Sequence, residues 1–115
     1  METTKRHYAH FHLAGFTYWD GAEVFGELRI GTLLSLRRET DNRFDAYAVA
    51  IWYGDHKLGF VPRGENHELS KWLEMGYAPA FECRINRLTP DADPEGQVGV
   101  VIHLLPAPGE HGATK

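Results

Sequence analysis

A single cysteine, Cys83, is all the thiol chemistry that this 115-residue chain offers. One thiol cannot close an intrachain disulfide, which excludes a stapled secreted scaffold. A cysteine-rich zinc finger is excluded by the same count. No apolar run approaches the roughly 20 residues that a membrane-spanning helix needs. The opening Met1-Glu2-Thr3-Thr4-Lys5-Arg6-His7 has none of the apolar stretch of a signal peptide. A cytoplasmic location without membrane contact is therefore the expectation. Repeats and low-complexity segments are missing between the two ends. So are a phosphate-binding P-loop, a GxSxG nucleophile elbow and an HExxH zinc motif. Asp20, Asp41 and Asp45 do not have calcium-loop spacing. Positive charge is not in excess either, with 12 Lys+Arg against 16 Asp+Glu and a net charge of -4. That balance argues weakly against nucleic acid, although local distribution matters more than the sum.

What remains is an ordinary folding composition, 43% hydrophobic, 24% charged and 12% aromatic, at a length that suits one domain. The expected boundaries are a flexible stretch over residues 1–7, a single domain over 8–105 and a flexible Pro/Gly/Ala-rich tail over 106–115. Most of the domain reads as short strands. Tyr8–Ala14 alternates, with Phe11 and Leu13 on one face and His10 and His12 on the other. Gly15, then Phe16-Thr17-Tyr18-Trp19, leads to a turn at Asp20-Gly21. Leu33–Arg38 is a second strand, followed by a polar loop over Glu39–Asp45. Ala48–Trp52 and Lys57–Val61 flank Tyr53-Gly54-Asp55-His56 as a hairpin. Ala80–Leu88 and Val98–Leu105 complete the set, the second β-branched and central. One helix is expected over 66–75, with Asn66 as N-cap, Leu69, Trp72 and Leu73 facing the core, and Gly76 ending it. About six strands with one helix predict a mostly β fold, a small closed OB-like or SH3-like barrel.

The chemistry-bearing residues favour binding over catalysis. Cys83 lies inside a strand and reads as a small buried hydrophobe rather than a nucleophile. His10 and His12 share a strand face and could chelate zinc only with a third ligand that the sequence does not identify. The expectation is therefore no metal and no cofactor, and a metal-dependent hydrolase is the weakest of three hypotheses. By contrast, the segment Gly15–Arg63 interleaves aromatic rings with Arg37, Arg38, Asn42, Arg43, Asp45, Lys57 and Arg63. Single-stranded nucleic acid needs that combination. Each base stacked on a ring contributes ~1–3 kcal/mol, while guanidinium groups hold phosphates. Phe16, Trp52 and Phe60 read as core; Tyr18 and Phe44, beside loops, could serve either as core or as stacking faces.

Several segments, taken in order, resemble the HIRAN domain family. Leu13-Ala14-Gly15-Phe16-Thr17-Tyr18 looks like its opening strand. Leu34-Ser35-Leu36-Arg37-Arg38-Glu39 looks like its L-x-L-x-R-E strand. Asp41-Asn42-Arg43-Phe44-Asp45-Ala46-Tyr47-Ala48-Val49-Ala50-Ile51 is similar to its D-N-P-Y-D-x-N-A-[IV]-x-V signature, and Lys57-Leu58-Gly59-Phe60-Val61-Pro62-Arg63 to its K-[IL]-G-[YF]-[VI]-P-R strand. Leu73-Glu74-Met75-Gly76 fits its L-L-D-x-G helix end. The resemblance spans about residues 10–105.

It implies an OB-related barrel and a non-enzymatic module for 3′-hydroxyl ends of single-stranded DNA in a repair or replication setting. The implied site is Tyr18 and Phe44 stacking the terminal bases, Asp45 accepting from the 3′-hydroxyl, Asn42 beside it and Arg63 at the phosphate. Arg38 is added by its closeness to that loop, and Arg43, in place of the signature proline, adds a charge. Phe44 replaces a tyrosine, Tyr47 an asparagine, and Thr17 stands where some DNA-binding relatives have arginine. The carboxylate is expected to repel a 3′-phosphate without a compensating cation. The competing class is a protein-interaction adaptor using the same barrel without DNA binding.

Overall fold

The computed structural model describes residues 4–107. The expected tail over 106–115 therefore lies outside the described residues from position 108 onward. Six strands run β1 (Arg6–His12), β2 (Leu33–Arg38), β3 (Val49–Tyr53), β4 (His56–Phe60), β5 (Phe81–Leu88) and β6 (Val98–Leu104). They form one antiparallel sheet in the order β1-β6-β5-β2-β3-β4. The strand content matches the sequence reading. β6 is interior, as its β-branched run requires, because both its edges must find partners.

β2 turns the corner of the sheet. Its first two residues pair with β5, Leu33 opposite Arg84 and Leu34 opposite Cys83. Its remainder pairs with β3, Ser35 opposite Trp52 through Arg38 opposite Val49. The sheet therefore bends over a core that includes Leu13, Phe16, Ile51, Leu69, Ile85 and Ile102. It does not close as the expected barrel. Among the described residues the two ends pair only at an isolated bridge, where Ala14 and Phe60 exchange two N–H···O bonds of 2.9 Å. Gly59 permits that approach, since a Cβ there would lie 2.5 Å from the Ala14 carbonyl oxygen.

Helices differ from expectation in several ways. A short helix α1 (Gly21–Val24) stands where a turn was expected, and Phe16–Tyr18 is a 3₁₀ turn, not part of a strand. The main helix α2 (Arg63–Glu74) begins three residues early, with Pro62 at its N-cap. Asn66 is not the cap; it is buried inside the helix, where its side chain serves a tertiary bond described below. The C-terminus follows the sequence reading. Gly76 has φ +93°. The Gly76 and Tyr77 N–H groups donate to the Leu73 and Trp72 carbonyls at 3.1 and 3.0 Å, a Schellman closure. Leu69 is buried and Leu73 packs on the core, but Trp72 is 44% exposed. Trp52 is half-buried with the Arg37 guanidinium 4.5 Å over its ring, so it is a surface stack and not core. At the N-terminus Arg6 and His7 pair with Leu104 and His103, so the sheet starts inside the stretch expected to be flexible. Among the described residues, no helix is long and apolar enough to cross a membrane.

Candidate nucleic-acid interface

The loop between β2 and β3 is built around two side-chain brackets. Asn42 Oδ1 accepts from the backbone N–H groups of Phe44 and Asp45 at 2.9 and 3.0 Å, and its Nδ2 donates to Glu39 Oε1 at 3.1 Å. Such Asx closures let a short polar residue replace a backbone turn. Asp45 is the second bracket. Its Oδ1 accepts from the Tyr47 N–H at 2.9 Å and its Oδ2 from Asn66 Nδ2 at 2.9 Å. Because Asn66 is buried in the first turns of α2, the loop is bolted to the helix. Arg63, the first residue of α2, adds a third tie, with Nη2 donating to the Phe44 carbonyl at 2.8 Å. The backbone is thereby held with the Phe44 ring outward, 84% exposed.

The facing wall follows β1. Gly15 takes φ +71°, which turns the chain into the 3₁₀ segment, and Phe16 anchors it in the core. Tyr18 is left 80% exposed. The Asp20 N–H donates to the Lys57 carbonyl at 2.9 Å, tying this segment to β4. Beneath lies a polar-aromatic floor. The Lys57 ammonium sits 3.8 Å from the Trp19 ring centroid and 4.5 Å from that of Phe60, and it is ion-paired with Glu39. Trp19 meets Phe60 edge-on at 5.8 Å. Lys57 is therefore spent on the floor and offers no free charge to a ligand.

Between these walls is a groove of about 810 Å³, lined by Tyr18, Asn42, Arg43, Phe44, Asp45 and Arg63 together with Trp19, Phe60 and Glu39 of the floor. The first six are those the sequence reading put forward, apart from Arg38. Arg38 lies outside the groove, where its Nε donates to Ser70 Oγ at 2.8 Å and its Nη2 to the Ala46 carbonyl at 3.4 Å. It braces β2 against α2. Phe60, read as core, lines the groove instead.

Trp19, which the sequence reading counted among the aromatic rings of Gly15–Arg63 without assigning it to the site, also lines the groove. In a strand it would face away from Tyr18; the 3₁₀ turn brings both to one side. Arg43 is exposed and forms no hydrogen bond or ion pair among the described residues. Arg63 is exposed too, with Nε 3.7 Å from Asp45 Oδ2. A cation thus faces the carboxylate, contrary to the expectation that none does.

The other candidates lie elsewhere. His10 and His12 border a separate recess with Asn86 and Arg87, and His10 Nδ1 shares a hydrogen bond of 2.9 Å with His7 Nε2. Among the described residues, no group of three or more His, Cys, Asp or Glu side chains is arranged to hold a metal. Cys83 is buried, and desolvation, with the nearby Glu82 carboxylate, pushes its thiol up to about 12. A thiol held so firmly protonated is no nucleophile.

Comparison with known proteins adds the lineage. No curated protein sequence matches the chain. A crystal structure of a protein from Lactobacillus plantarum superposes with a TM-score of 0.73 at 23% identity, covering 90% of this chain and 97% of that one. The crystal structure of the HIRAN domain of human HLTF superposes with a TM-score of 0.66 at 11% identity, covering 96% of this chain and 84% of that one. At such identities these likenesses establish the fold. The family profile of the HIRAN domain matches residues 7–97, taking in β1 from His7 onward, β2 to β5 and both walls of the groove, and ending just before β6. The chain belongs to the HIRAN domain family.

Proposed function

We propose that this chain is a non-enzymatic nucleic-acid-binding module that takes the 3′-hydroxyl end of single-stranded DNA into the groove between Tyr18 and Phe44. Membership of a family known as a DNA-binding module supports the ligand class. The observation that carries the reading is the pair of aromatic rings, 80% and 84% exposed, on opposite walls of one groove whose rim holds Arg43 and Arg63. Rings left in water by a small domain are stacking faces in waiting. Each base stacked contributes ~1–3 kcal/mol whatever its identity, so recognition is sequence-tolerant.

In this reading Tyr18 and Phe44 stack the last base or two. Arg43 and the free guanidinium nitrogen of Arg63 meet the phosphates. Asp45 accepts from the terminal hydroxyl. Two of its roughly four acceptor positions are used by Tyr47 and Asn66, which leaves capacity for a third donor. A 3′-phosphate is disfavoured beside Asp45, though Arg63 softens the repulsion, so the preference for hydroxyl is moderate. DNA repair or replication is the setting such an activity suits.

Fluorescence anisotropy at low salt tests this, with short single-stranded DNA ending in 3′-hydroxyl or 3′-phosphate and duplex as control. Phe44→Ala is expected to weaken binding about 5- to 150-fold, the equivalent of one lost stack. Asp45→Asn should narrow the gap between hydroxyl and phosphate ends. No binding to any of these ligands would refute the reading.

A further inference from the structure

Large exposed apolar side chains gather on two faces of the molecule. One is the groove. The other lies around the C-terminal half of α2, where Trp72 (44% exposed), Met75 (73%), Tyr77 (51%) and Leu104 (43%) stand together. The core does not need them: Leu69 and Leu73 already seal α2 onto the sheet. Trp72 and Tyr77 meet at 5.4 Å with their rings 76° apart, two walls at a near right angle. Tyr8, held edge-on against Phe81 at 5.2 Å, forms the inner side of a recess of about 110 Å³ that Leu104 borders.

The helix beside this recess carries more acid than base. Glu68, one helical turn before Trp72, lines the adjoining hollow with Lys71, Met75 and the same two rings, and Glu65 and Glu74 lie on the same helix, whose only basic residues among the described ones are Lys71 and, at its far end, Arg63. None of these three carboxylates forms an ion pair among the described residues. Their field reaches the recess: Glu68 and Glu65, after burial, hold the Tyr8 phenol above its ordinary value. Electron-rich ring faces meeting at a corner, beside carboxylates that form no ion pair among the described residues, favour a cation with an apolar stem. The same carboxylates repel a phosphate backbone, so this face is not a continuation of the groove.

We infer that the Tyr8–Trp72–Tyr77 recess is a docking site for a partner protein, which inserts an arginine or lysine flanked by an apolar residue. The cation lies against Trp72 and Tyr77 beside Glu68, and the apolar neighbour rests on Leu104 or Met75. α2, about 18 Å long, would then carry the groove at its first turn and the partner at its last. The inference stands independently of what the groove binds.

The test uses the full chain and its 3 tryptophans, whose indole N–H resonances report separately on the groove (Trp19), the β3 surface (Trp52) and the recess (Trp72). The probe is the capped peptide Gly-Ala-Arg-Leu-Ala-Gly, with its Lys and Gln counterparts. The Arg and Lys peptides should shift the Trp72 indole saturably and leave Trp19 in place, and the Gln peptide should bind about fivefold or more weakly, the equivalent of one cation–π contact. Glu68→Lys, an exposed change that keeps every ring, should weaken the Arg peptide by at least as much, and Trp72→Gln should abolish the response of the Tyr77 amide. An equal response to the Gln peptide, or undiminished binding in Glu68→Lys, would overturn the inference. So would a Trp72 shift driven by single-stranded DNA. A Trp72 resonance that moves on dilution, in step with a sedimenting dimer, would show a second copy as the occupant and overturn it too.

Discussion

The groove makes a quantitative prediction about salt. Two cations line it, Arg43 and Arg63, and only these can meet phosphate, because the Lys57 ammonium beneath is enclosed by Trp19, Phe60 and Glu39. Each phosphate neutralised on a single strand contributes about -0.7 to the slope of log K against log salt, so two contacts give about -1.4. Between 50 and 200 mM salt, affinity should then fall about sevenfold. Arg43→Gln should halve the slope to about -0.7, leaving a fall of about 2.6-fold, while binding at low salt also weakens. Lys57→Met should leave the slope unchanged, whatever it does to affinity through Trp19. The assay is anisotropy of a labelled oligothymidine over a salt series. A slope steeper than about -3 would refute the reasoning, since the backbone would then be crossing a basic surface outside the groove. A flat dependence would refute it from the other side.

Other perturbations test the scaffold. Asn66→Ala removes the buried α2 amide that donates to Asp45, a bond to a charged acceptor, so a loss of about 1.5–3 kcal/mol is expected in urea unfolding. Gly59→Ala sets a Cβ against the Ala14 backbone oxygen at 2.5 Å and should cost about 1–3 kcal/mol by opening the bridge that joins the sheet ends; a neutral result would mean the bridge is dispensable. Cys83 should not react with a thiol reagent at pH 8 until the protein unfolds, so labelling and unfolding rates should coincide. Glu82 is held below its ordinary value of 4.5, chiefly by Lys5 and also by Arg84. Its folded pKa being depressed, the stability it supplies is present above about pH 4.5 and lost as pH falls through the folded value, so Glu82→Gln should flatten the acid limb of a stability–pH curve.

Much of this was written in local sequence. Alternation and β-branching located the strands to within about two residues, because side-chain period and turn chemistry act over a few positions. The Gly76 helix end was legible for the same reason: a left-handed residue after an apolar helix leaves little choice. Tyr18, Asn42, Arg43, Phe44, Asp45 and Arg63 were legible through resemblance to the family's ordered motifs, whereas the places of Trp19 and Phe60 in the groove were not. What local sequence misjudged were the sites where a distant partner outweighs local preference. Asn66 has the chemistry of a cap, but Asp45, 21 positions away, claims its amide inside the helix. Arg38 sits beside the loop in sequence and is drawn off to Ser70 by the packing of α2 on β2. Trp72 has core spacing, yet Leu69 and Leu73 fill the space first and leave it facing water. Lys57 reads as a free cation until the fold stacks it on Trp19 and pairs it with Glu39. Periodicity and turn residues by themselves determined which segments are strands, and resemblance to the family's ordered motifs named the candidate binding residues. Only the tertiary structure decided which charges remain free and which rings stay exposed, because both depend on neighbours remote in the chain that compete for the same donors and the same buried volume.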